Sequence, residues 1–222
     1  MKYIIIASLF LGVSISSKGQ HQKKEVQFNQ KLADELEKRA ALDQTAAFIP
    51  KGKFKAYSPE KWRAYKDSVF TTNKLFLEEV INQYGYPGYD LVGKEGEKNY
   101  WLMVQHCDFD PQFQTSVLKK LEKQVAINNA NNQNFGLLTD RVNINTGKKQ
   151  VYGSQVIYVK TTGQAIPKPL IDSLNVNKRR KSVGLEPIEE YLNMMTQLHF
   201  EMNEPNMVKR GITEPKLYKV EE

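Results

Sequence analysis

Apolar residues return at every fourth position along several stretches of this chain, and that spacing commits most of it to amphipathic helices. Phe28, Leu32, Leu36 and Ala40 do so within an expected helix over Glu25–Phe48, which Pro50 and Gly52 break. Ser58 and Pro59 carry the cap-then-proline signature of a helix start. The helix expected from there reaches Tyr84 on a stripe that includes Trp62, Tyr65, Val69, Phe76 and Val80, and Thr71-Thr72-Asn73 is a candidate second cap within it. Gly85 and Pro87 supply the stop. Gly88–Asn99 reads as a loop, and a helix restarts over Lys98–Cys107. Asp110 and Pro111 open the next, with Phe113, Val117, Leu121 and Val125 inward, and Asn128–Asn134 reads as a turn. A short basic helix follows at Asn177–Val183, and a last one from Glu186-Pro187 to His199 or Phe200.

After Leu137 the period changes. Val142, Ile144, Val151 and Val156–Val159 are strand formers, with turns expected at Asn145–Lys148 and Thr162–Gln164. Gln150–Gln155 reads as a strand. The fold class is therefore a helix-rich α+β domain, four or five main helices packed with a small antiparallel sheet. Its expected extent is 25–201, with 202–222 as a loosely ordered tail.

Lys2, the apolar run Tyr3–Val13 and the small residues Ser14–Gly19 form a signal-peptide pattern over 1–19. The run is too short to span a bilayer, and no second one follows. The expected product is an exported chain, periplasmic or secreted, with no transmembrane segment. The net charge of +7 is scattered along the sequence, and together with export it argues against nucleic acid as a partner. A weak attraction to anionic polymers or lipid surfaces fits the same balance. A lone Cys107 cannot form an intramolecular disulfide and reads as a small buried apolar residue.

The chemistry-bearing residues gather in two places. Gln105, His106, Asp108 and Asp110 form one group; Asp140-Arg141 and Gln150–Gln155 form the other. His106 is the candidate acid or base, with Gln105, Asp108 or Asp140 to orient it. Arg141 is the candidate clamp for an anion. Gln105, Gln150, Tyr152 and Gln155 are further candidate ligand contacts, and Gly153 marks a bulge or close approach. Ser154 lies outside any nucleophile-elbow pattern. Asp108 and Asp110 have the look of oxygen ligands, but Asp110 is already employed as a cap, and the three His lack ligand spacing. No metal site is expected. No phosphate loop or dinucleotide fingerprint occurs, so no cofactor is expected either.

Several of these motifs together resemble an uncharacterised bacterial family, the domain-of-unknown-function family numbered 6624. They are Gly85-Tyr86-Pro87 with Val92-Gly93, Gln105-His106-Cys107-Asp108 with Phe113-Gln114, and Leu138–Val142. Gln150–Gln155, Arg179-Arg180 and Gly184–Pro187 complete them, and Asp43-Gln44 fits the family's first helix. Relatives often carry Ala at Cys107 and Thr at Ser154, and an Arg common after the Asp-Gln pair is replaced here by Ala46, Ala47 and Phe48. The resemblance implies that Gln105, His106, Asp140, Arg141, Gln150, Tyr152 and Gln155 travel as a set, in one pocket or one buried network. Three readings stay open: a binder of a small polar or anionic ligand, an envelope hydrolase or lyase using His106, and a structural protein.

Overall fold

In a computed structural model, residues 26–220 are described; the expected signal peptide, 1–19, lies outside them. The described residues form seven α-helices and one two-stranded sheet, the expected helix-rich α+β class. Helix α1 (Gln30–Ala47) is capped by Asn29, whose side chain accepts from the Leu32 N–H. It buries Leu32, Leu36, Ala40, Asp43 and Ala46, so an acid continues its apolar stripe. After a 3-10 turn at Gly52–Ala56, α2 (Pro59–Tyr84) starts under the Ser58 cap and ends at Gly85, whose φ of 77° only glycine adopts cheaply. It is one helix: Thr71-Thr72-Asn73 is interior, and the Asn73 side chain is buried.

The stretch expected as a loop is helical. Helix α3 (Tyr89–Gln105) begins there and is broken only at Gly93 (φ 72°, ψ 176°). Two glycines made the segment look like a loop. In the fold Gly93 supplies the kink, and Gly96 packs so tightly that a Cβ on it would lie 2.7 Å from Val92. Helix α4 (Pro111–Val125) starts under the Asp110 cap. Helix α5 (Asn132–Asn145) then takes in Val142 and Ile144, which were expected in strands. Asn134, Leu138 and Val142 are buried at helical four-residue spacing, and burial against α3 and α4 overrides β-propensity. Gly147 (φ 75°) follows the end of this helix rather than turning a hairpin.

The sheet is the pair β1 (Val156–Tyr158) and β2 (Ala165–Pro167), antiparallel with Ile157 opposite Ile166, joined through the expected turn at Gly163. Residues 150–155 are not a strand; one isolated bridge joins Gln150 to Leu170. Helix α6 (Val176–Ser182) and helix α7 (Ile188–Lys209) complete the fold. α7 runs past its expected end at His199 or Phe200 and through Pro205. Met207 is buried there, and the chain returns so that the Tyr218 hydroxyl donates to the Ala165 carbonyl at 2.8 Å. Two apolar clusters result. The larger joins α1 to α5, and the smaller seats the sheet on α6 and α7.

Candidate functional site

His106 caps the C-terminus of α3, which carries its ring out of the helix toward α1 and α2. Its Nδ1 lies 2.5 Å from Asp43 Oδ2. Asp43 is fully buried, and 24% of the His106 side chain remains exposed. The Asn73 amide donates to the other Asp43 oxygen at 3.2 Å, and Gln44 approaches Oδ2 at 3.4 Å. A carboxylate can only accept, so Nδ1 carries a hydrogen, and in the neutral imidazole Nε2 then holds the lone pair. Among the described residues nothing hydrogen-bonds Nε2. The Phe70 ring, 5.1 Å away by centroids, packs beside the imidazole. The result is an oriented imidazole on a buried acid, able to accept or return a proton.

Asp43 therefore takes the orienting place expected of Gln105, Asp108 or Asp140. Sequence reasoning left it without a role, yet a signal was available: it falls on the face of Leu32, Leu36 and Ala40. An acid on a helix's buried face needs a partner.

Asp108 turns the other way, toward α4 and α5. Its Oδ2 accepts from Arg141 Nη1 at 2.6 Å, and its Oδ1 from Asn145 at 2.7 Å and Gln114 at 3.0 Å. Gln114 is fully buried and also donates to the Val104 and Gln105 carbonyls at 3.1 and 3.4 Å, covering the end of α3. Gln105 thus enters this cluster through its backbone. The Phe113 N–H, and after it Lys74, hold the Asp110 carboxyl below its ordinary range. Among the described residues no three His, Cys, Asp or Glu side chains gather as metal ligands. Burial pushes the Cys107 thiol up to about 12, and its sulfur faces the Met103 carbonyl, so it supplies no thiolate beside His106.

Asp140, Gln150 and Tyr152 meet in a third place. Asp140 is fully buried and accepts three backbone N–H groups: Val151 at 2.7 Å, Tyr152 at 2.9 Å and Ser154 at 2.8 Å. Gln150 spends its amide on the Gln155 and Lys168 carbonyls, both at 2.9 Å, and its oxygen on the Gln155 N–H at 2.6 Å. Arg179 Nε reaches the Val151 carbonyl at 2.7 Å, Arg180 Nη1 the Tyr152 carbonyl at 2.8 Å, and the Tyr191 hydroxyl the Ser154 carbonyl at 2.6 Å. These side chains hold the 150–155 backbone in a non-strand path that Gly153 (φ 76°) makes possible. Among the described residues the Gln155 side chain hydrogen-bonds only the Ser154 hydroxyl, at 3.5 Å. The Tyr152 ring packs over Gly136 of α5. The predicted set is thus divided among a His–Asp pair, the Asp108–Arg141 cluster and a clamped loop.

A family model described as a family of unknown function, DUF6624, matches residues 58–200, which include His106, Asp140 and Arg141 and begin beyond Asp43. No curated protein and no solved structure matches the chain.

Proposed function

The chain belongs to the family of unknown function DUF6624, and on that premise we propose that it is an exported protein that binds a small polar ligand at His106. One observation carries the reading: a partly exposed imidazole whose inner nitrogen is held by a fully buried carboxylate. Building an acid into a helix's core face costs stability unless a partner compensates it. Spending that on one oriented ring suits a group that meets a ligand. A polar ligand is favoured over an anionic one because the guanidinium expected to clamp an anion, Arg141, is engaged by Asp108. The carboxylate on Nδ1 also favours a hydrolase or lyase reading, with Nε2 taking a proton from water or substrate. Export rests on the pattern at residues 1–19.

The test is thermal shift of the full chain against neutral sugars, short peptides, carboxylates and phosphate esters. One polar class should raise the melting temperature; at a hundredfold excess over Kd, saturation adds about 2.7 kcal/mol. His106→Ala should abolish that rise, and Asp43→Asn should weaken it. If no class shifts the wild type, or if His106→Ala responds equally while melting lower, the pair serves structure alone.

A further inference from the structure

The charge that looks scattered over the whole sequence is concentrated on one projecting part of the fold. Of the sixteen residues 51–66, six are Lys or Arg and one is acidic, a local +5 of the chain's +7. Among the described residues none of those six cations forms an ion pair with a carboxylate. The same stretch holds Phe54, Tyr57, Trp62 and Tyr65, which pack on one another and not into the main core. Phe54 lies 4.9 Å from Tyr65 by ring centroids, and Trp62 stacks on Tyr65 at 5.4 Å. Lys61 sits 4.2 Å over the Tyr57 ring. The buried residues of α2 begin only at Asn73, so its first turns and the 3-10 turn stand off the bundle. At the base of this arm Phe48 and Ile49 are 60% and 63% exposed.

We propose that residues 48–66 form an arm that docks the protein on an anionic lipid surface. Exposed lysines draw it toward the negative headgroups, and each contributes to binding within a Debye length of the surface. Half-buried Trp and Tyr suit the headgroup level, where one edge is apolar and the other wet. Phe48 and Ile49 enter the acyl boundary. They decide the occupant: a soluble polyanion offers these side chains nothing, whereas a bilayer interface takes apolar groups and cations together. No helix among the described residues is long and apolar enough to cross a membrane, so the contact is peripheral.

The protein has two tryptophans. Trp101 is buried and donates to the Asn134 carbonyl at 2.9 Å, so a change of emission on binding reports Trp62. The experiment mixes the full chain with vesicles of phosphatidylcholine, alone or with an equal part of phosphatidylglycerol. Sedimentation and tryptophan emission are the readouts. Co-sedimentation with the anionic vesicles only, a blue shift and weakening by salt are expected. Lys53→Gln/Lys55→Gln should lower partition roughly 30-fold. Phe48→Ser/Ile49→Ser should lower it on the order of tenfold, with the circular dichroism of both variants unchanged. No sedimentation with anionic vesicles, or undiminished partition of the lysine variant, overturns the proposal. Binding to heparin without binding to vesicles also overturns it, in favour of a polyanion.

Discussion

Asp140→Ala removes the one acceptor shared by three backbone amides, and its expected cost follows from what those amides are left with. Val151 and Tyr152 donate to Oδ1 at 2.7 and 2.9 Å, and Ser154 donates to Oδ2 at 2.8 Å. Tyr152 and Ser154 are buried and Val151 is half-buried, so water cannot replace the carboxylate unless the loop opens. A hydrogen bond to a charged acceptor contributes about 1.5–3 kcal/mol net. The three share one anion, so they do not add in full, and the low end gives about 4 kcal/mol together. That is a large part of the 5–15 kcal/mol typical of a folded domain. Urea unfolding at neutral pH measures the loss, and amide hydrogen exchange locates it. Protection should vanish first at 151, 152 and 154, because the loop can open before the helices of the larger cluster do. Asp140→Asn should lose less: its oxygen can keep the two amides on one side, while its NH2 group faces the third donor. A loss under about 1 kcal/mol for the Ala variant, with the three amides still protected, would refute the argument that this acid holds the loop.

Two further outcomes follow from groups buried in the larger cluster. Glu97 is 1% exposed and accepts the Tyr86 hydroxyl at 2.6 Å; burial raises its carboxyl above the ordinary 4.5. The folded chain therefore holds that proton more tightly than the unfolded one. The stability this adds is full below the ordinary value and is lost as pH rises through the raised one. Urea midpoints from about pH 4 to about pH 8 should show Glu97→Gln gaining on the wild type as pH rises; a flat or reversed difference would contradict the burial argument. Cys107, 1% exposed with its thiol pushed up to about 12, should resist a maleimide in the native state and take one label after unfolding, read by mass spectrometry. Equal labelling rates in both states would contradict its burial.

Much of the helical frame was legible because it is written locally. The stripe through Leu32, Leu36 and Ala40, the caps at Ser58 and Asp110, and the stop at Gly85 each depend on residues within a turn or two. The same local rules misread Gly88–Asn99 and Val142–Ile144. Glycine and β-branched residues are poor helix formers in isolation, but helical there because α3 and α5 bury one face against the bundle. The 150–155 segment failed for another reason. Its N–H groups are satisfied by Asp140 and Gln150 side chains, a pairing that alternation of residue types does not reveal. His106 was recognisable as a reactive group, but Asp43, 63 residues earlier, was not assigned as its partner.

The sequence by itself determined the helix-rich class, several helix ends and the turn at Gly163, since each follows from periodicity or from the backbone freedom of one residue. Tertiary structure decided which polar groups meet. It set Asp43 on His106 and Arg141 on Asp108, and turned Asp140 to a loop backbone. Such meetings depend on packing between segments distant along the chain, where geometry is fixed by the buried faces of helices and not by the polar residues themselves.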